Sequence, residues 1–189
     1  MNDQQLMENF IAGAKNKRIF RDRKRNFYDV CDWKEVECED SNVVMISWNR
    51  EWGVVDLKQG TIGLDWLPPK LRKINISDQY MEGTFNTSYL PKEIKQVYLG
   101  CNFLHGTLNM TVLPESLLVL HLDCNRFEGP IDLMHLPPKL EELELDENRI
   151  EAEVLMVDLP RTITSYAFDG NKIGKIVDKN GKEIKEALI

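Results

Sequence analysis

The sequence predicts an α/β solenoid, a right-handed coil of short parallel strands, on three observations. First, the pair Leu-Pro recurs at Leu67-Pro68, Leu90-Pro91, Leu113-Pro114, Leu136-Pro137 and Leu159-Pro160, each step 23 residues. A fixed period of this length is the mark of a repeat architecture. Second, apolar residues two apart follow each pair: Ile74/Ile76, Val97/Leu99, Leu120/Leu122, Leu143/Leu145 and Tyr166/Phe168. Third, Asn102, Asn125, Asn148 and Asn171 fall in one column just after those pairs.

Each column has a physical reading. Alternation at spacing two predicts a short strand with one buried face. Successive copies pair in parallel at about 4.8 Å per step. Met81, Leu104, Phe127, Ile150 and Ile173, then Phe85, Leu108, Ile131 and Val154, are expected to fill the same core from the returning side of the coil. A coil this tight turns backbone donors and acceptors inward, and buried ones must be paired. An amide side chain offers both kinds of partner, so an Asn column can serve successive turns. The first unit carries Gln79 there instead, which leaves its place in the ladder open. Gly83, Gly106 and Gly129 suit positive φ or close backbone approach. Ala152 and Lys175 replace them later, where the coil is expected to end or change shape. The Pro column leads into each strand, before a ladder donor is needed.

A stack exposes core at both ends and needs caps. Residues 3–14 place Leu6, Met7, Phe10, Ile11 and Ala14 on one face of a predicted helix. Residues 43–66 read as an irregular first coil, with Ile46 and Trp48 in the strand columns and an insertion before Leu67. Asp178-Lys179-Asn180-Gly181 predicts a tight hairpin that covers the last coil. It opens like a calcium loop, but the later ligands do not follow. The division expected is a cap over residues 1–42, about six coils over 43–175, and a second cap over 176–189.

The pattern L-x-x-L-x-L-x-x-N-x-[LF]-x-G over residues 43–175 resembles the leucine-rich-repeat family. Gly followed by Thr or Pro is similar to its plant-type subclass. The LPP-x-L openings are similar to repeats of bacterial secreted effectors. The resemblance implies a coil whose parallel sheet lines a concave face, and a binding function. The segment CDWKEVEC resembles the plant-type N-terminal cap, which implies a Cys31–Cys38 bond and packing of Trp33 on the first coil. Glu35 stands where that family usually has Gly. An intracellular setting would disfavour the bond, so both thiol and disulfide forms stay open.

The chain has 189 residues and a formal net charge of −7. Residues 15–25 hold seven Lys and Arg against one Asp, while residues 31–189 hold 17 basic and 27 acidic residues. An acidic body makes a poor general binder of nucleic acid. The basic segment, from Lys15 to Arg25, reads either as a solvated extension of the cap helix or as a dock for anionic lipid or nucleic acid. With no secretory signal at the N-terminus, a cytoplasmic location is expected. The sequons at Asn75, Asn86 and Asn109 are then chance matches.

No phosphate loop, metalloprotease motif or nucleophile elbow occurs, so the expectation is no enzyme and no cofactor. Cys101 and Cys124 share a column near His121, but their spacing matches no familiar zinc pattern, and no metal is expected. The outward strand residues are the candidate site for a protein or peptide partner: Lys73, Asn75, Gln96, Tyr98, Val119, His121, Asp123, Glu142, Glu144 and Asp146. Tyr98, Val119 and His121 form the expected centre, since exposed aromatic and apolar side chains anchor interfaces. The alternatives are the substrate-choosing part of a bacterial effector ubiquitin ligase and an extracellular receptor-like repeat. The first needs a catalytic domain, for which no residues remain after Ile189; the second needs a signal sequence, used sequons and the Cys31–Cys38 bond.

Overall fold

The computed structural model describes residues 1–50, 55–184 and 187–188. Its strands alternate between two sheets. Six run in parallel along one side: β2 (Asn42–Ser47), β4 (Lys73–Asn75), β6 (Gln96–Tyr98), β8 (Val119–His121), β10 (Glu142–Glu144) and β12 (Ser165–Ala167). Two antiparallel strands close this sheet, β1 (Val36–Glu39) beside β2 and β14 (Ala187–Leu188) beside β12. The opposite side carries β3 (Gly60–Thr61), β5 (Met81–Thr84), β7 (Phe103–Gly106), β9 (Arg126–Gly129), β11 (Arg149–Val157) and β13 (Lys172–Asp178). Register on the first side follows the sequence period, with Ile74 opposite Val97, Val97 opposite Leu120 and Leu120 opposite Leu143.

Between the sheets lies one apolar core. Ile76, Leu99, Leu122 and Leu145 are wholly buried, as are Met81, Leu104 and Phe127 from the returning side. Full burial of a side chain of this size contributes roughly 1.5–3 kcal/mol. Each Pro of the Leu-Pro column accepts a hydrogen bond three residues on, for example Leu117 N to Pro114 O at 3.0 Å, which forms the turn that feeds the strand.

The Asn column forms a continuous ladder. Asn125 Nδ2 donates to the carbonyls of Leu99, Leu122 and Asp123 at 3.0–3.2 Å, and its Oδ1 accepts from Leu104 N at 2.9 Å. One side chain thus ties its own coil to the one before. Asn102, Asn148 and Asn171 repeat the arrangement. Gln79 takes the same part in the first unit: its Nε2 donates to Trp48 O and Val55 O, and its Oε1 accepts from Leu57 N. Its extra methylene reaches across the longer first coil. The centre of the insertion expected before Leu67, residues 51–54, lies outside the described residues.

Gly83, Gly106 and Gly129 have φ of +145°, +99° and +80°. Where Ala152 and Lys175 replace them, the chain runs on extended. β11 and β13 lengthen to nine and seven residues and pair from Glu151–Lys172 to Val157–Asp178. The change shifts which residues face inward. Val154, expected in the core, is 44% exposed, and Leu155 and Val157 are buried instead.

The N-terminal helix is shorter than the apolar spacing predicts. α1 spans Asp3–Phe10, opened by a capping box between Asn2 and Gln5. Gly13 then packs so closely on Thr61 that a Cβ would lie 1.8 Å from its Oγ1, and Ala14 bridges Gly60. The chain therefore leaves the helix to lie along β3. Residues 15–25 do not extend the helix: they form a 3-10 turn at Arg18–Phe20 and a tight turn joined by an Arg21–Phe27 bridge. Phe20 stacks on Trp33 at 4.4 Å and meets Trp48 at 5.0 Å, sealing the first coil. Cys31 and Cys38 are disulfide-bonded, and Glu35 meets the glycine-like demand of that cap with φ +56°. At the far end Asp178 closes the predicted hairpin, accepting from Asn180 N and Lys182 N. The sheet edge itself is covered by β14 rather than by the hairpin.

Replacing Asn125 with Ala strands a buried N–H and several carbonyls. Urea unfolding should show a loss of about 2–4 kcal/mol. The same change at the half-buried Asn171 should cost less, and equal losses would contradict the ladder as described.

Candidate interaction face

The outward residues of the long sheet stand in register. Lys73, Gln96, Val119, Glu142 and Ser165 form one row across the strands, and Asn75, Tyr98, His121, Glu144 and Ala167 the next. Asp123 and Asp146 follow at the strand ends, where backbone bonds such as Cys124 N to Asp146 O continue the stack.

Six of the ten candidate residues gather into one cluster. Tyr98 meets the edge of His121 with centroids 4.9 Å apart. His121 lies between two carboxylates, with Nε2 2.9 Å from Glu142 and Nδ1 3.2 Å from Glu144. Asp123 and Asp146 adjoin Glu144 closely enough to oppose its ionisation. Lys73 reaches the Tyr98 ring at 5.7 Å and extends the cluster toward the first coils. Asn75 is occupied locally, its Oδ1 accepting from Ser77 N. Gln96 is half-buried beside Val119. Val119 itself is 4% exposed, which removes it from the anchors. It lies in register between Gln96 and Glu142.

The acidic half of the face is under electrostatic load. Burial raises the Glu144 carboxyl above the usual range, and Asp123, Asp146 and Glu142 add to this against the opposing pull of His121. Burial and Asp146 likewise raise Asp123. The Tyr98 phenol is pushed up by burial and by Glu142 and Glu144. Gly100 makes this crowding possible, since a Cβ there would meet Asp123 Oδ1 at 2.5 Å.

Cys101 and Cys124 are free thiols in contact across adjacent coils. Burial and the Cys124 thiol push Cys101 up to about 12. Cys101, Asp123 and Cys124 bring ligand atoms within 4.8 Å of one another, and so do His121, Asp123 and Glu144. Asp123 is common to both groups.

Two other surfaces were not read from the sequence. Trp66, Tyr89 and Val112 are 40%, 55% and 42% exposed. They are spaced by 23 and sit just before the first three Leu-Pro pairs, a column the pattern contains. Arg50, Tyr80, Phe103 and Arg126 stack in a cation–aromatic row, with guanidinium-to-ring distances of 4.9 and 4.4 Å at its two ends. The sequons at Asn86 and Asn109 have a structural cause. Each Asn caps a 3-10 turn by accepting from the backbone N–H and the hydroxyl two residues on, and Asp132 caps the next coil through Met134 N.

The architecture is that of a leucine-rich-repeat solenoid. It is similar to the leucine-rich-repeat ectodomain of the receptor kinase SOBIR1 from Arabidopsis thaliana, with TM-score 0.65 and 16% identity over 93% of this chain and 95% of that one. The BIR2 ectodomain from Arabidopsis thaliana gives 0.61 and 19% over 96% and 97%. A chain of the BIR3–SERK2 complex from the same plant gives 0.62 and 16% over 96% and 98%. No family model matches the sequence, and no curated protein does. At these identities the likeness is one of fold.

With its thiol held near 12, Cys101 is overwhelmingly protonated at pH 8. Alkylation by iodoacetamide in the native state should run roughly fiftyfold slower than at an unstructured cysteine, the loss of thiolate being partly offset by the greater nucleophilicity of a more basic thiolate. Comparable rates, measured by mass spectrometry of the Cys101 peptide, would contradict the burial described.

Proposed function

We propose that this protein is a non-catalytic interaction module that binds a protein or peptide on the outward, concave-side face of its long sheet. The partner meets the face with cationic side chains at Asp123, Glu142, Glu144 and Asp146, and with an apolar or aromatic group at Tyr98 and His121. One observation carries the reading. Two carboxylates, Glu144 and Asp123, are partly desolvated beside a single imidazole, with the charges of Glu142 and Asp146 close to Glu144, an arrangement that works against folding and is relieved when cations arrive. The six parallel strands span roughly 24 Å at the sheet spacing. That suits a patch of about 800 Å² per partner.

The sign of the pH effect follows. Asp123 and Glu144 have folded pKa values above their unfolded ones, so the folded state holds their protons more tightly. Their cost is fully present at neutral pH and shrinks as pH falls through the folded values. Asp123→Asn should therefore hold or raise the unfolding midpoint at pH 7, with no loss beyond about 0.5 kcal/mol. The same substitution should weaken partner binding. A clear destabilisation at pH 7 would place Asp123 in structural support and not in recognition.

The partner is sought by affinity capture from source-cell lysate, comparing wild type with a Tyr98→Ala/His121→Ala/Glu144→Ala variant of confirmed fold. A partner lost by at least tenfold with that variant supports the proposal. One retained by it but lost with Trp66→Ser/Tyr89→Ser moves the site to the exposed flank. The compartment belongs to the same proposal. A cytoplasmic location is the expectation to be tested, whereas the Cys31–Cys38 bond suits an oxidising space. The intact mass of source-derived protein decides between them: free Cys31 and Cys38 with bare Asn86 and Asn109 support the cytoplasm, and glycans the secretory route.

A further inference from the structure

The N-terminal cap carries a second surface, opposite in charge to the sheet face. Lys15, Lys17, Arg18, Arg21, Arg23 and Arg25 line a hollow of about 530 Å³, with Asp22 the one carboxylate among its walls. Among the described residues none of these six cations forms an ion pair, although the chain as a whole is acidic. Lys17 Nζ donates to the Ala12 carbonyl. Cations without a counter-charge that converge on a concavity repel one another, and the fold holds them there.

The segment is built, not trailing. Lys15 N and Asn16 N donate to the carbonyls of Gln59 and Leu57, and Tyr28 N donates to Phe20 O, so both ends are tied down. Within the turn Asp22 N donates to Asn26 O, Arg25 N to Asp22 O, and Asn26 N to the Asp22 carboxylate. Asp22 is thereby committed to the turn through one oxygen. Arg25 takes φ +69°, a conformation easiest for Gly. The Arg21 guanidinium lies over the Phe27 ring at 4.1 Å, and among the described residues its buried Nε has no hydrogen-bond partner.

From these observations we propose that the hollow binds a compact, multiply phosphorylated molecule through its phosphomonoester groups. Four of the six lining cations are Arg, whose planar fork matches phosphate oxygens two at a time. The volume exceeds a single phosphate and suits a small molecule carrying several. Such groups occur free in solution and as lipid headgroups, and the chemistry of recognition is the same.

The test uses the full chain and two probes. Inositol hexakisphosphate is titrated calorimetrically, and vesicles of neutral lipid containing a phosphorylated inositol lipid are pelleted with and without that competitor. Wild type should bind the soluble probe saturably at one site, and a Lys17→Gln/Arg18→Gln/Arg23→Gln variant should bind at least tenfold more weakly. Lys92→Gln/Lys95→Gln/Lys139→Gln changes net charge equally, away from the hollow, and should bind as wild type does. Binding of both probes with mutual competition assigns the hollow to headgroups as well as soluble ligand; binding of the soluble probe alone assigns it to free phosphate esters. Equal weakening in both variants, no saturation, or binding to vesicles or single-stranded RNA that the soluble probe cannot displace would each overturn the proposal.

Discussion

A coil of 23 residues turns part of its backbone inward, and the amide ladder that pairs those groups is the constraint on which the rest depends. Each Asn side chain satisfies carbonyls on two successive coils and one N–H on the coil before. Unpaired, these groups would each cost about 1–3 kcal/mol. The ladder therefore fixes the spacing of the coils, and with it the register of the strands. Gln79 shows that the demand is for an amide at that place and not for Asn as such.

Once register is fixed, every position of the repeat becomes a row in space. Inward rows make a continuous apolar core. Outward rows make faces whose chemistry grades along the stack, from Lys73 past Tyr98 and His121 to the carboxylates. The glycine row governs the opposite side. With glycine present the returning strand breaks at positive φ; without it, β11 and β13 run on and turn Val154 out to solvent.

The cap follows other rules because it has no period. Aromatic packing of Phe20, Trp33 and Trp48 seals the first coil and holds the basic segment against it. The protein thus presents an acidic sheet face and a basic cap hollow. Like charges are concentrated in each, and the two could take ligands of opposite sign.

Periodic features were legible because each depends only on what recurs at a fixed spacing. The strand pairs, the Asn column, the Leu-Pro turns and the opposed residues of the outward face could all be read in one dimension. The alternation at Val119 placed it on the face, yet it is buried there, between register neighbours Gln96 and Glu142 that lie 23 residues away on either side. The crowding of Asp123 depends on the missing Cβ of Gly100 in the preceding coil. The hollow depends on how a turn without repeats folds back on the first coil. By itself the sequence determined the coil, its period and its rows, because local spacing dictates which side chains face the core. Only the tertiary structure decided which outward groups stay accessible, which carboxylates crowd and where unpaired cations converge, because solvent exposure and charge proximity are set by neighbours distant in the chain.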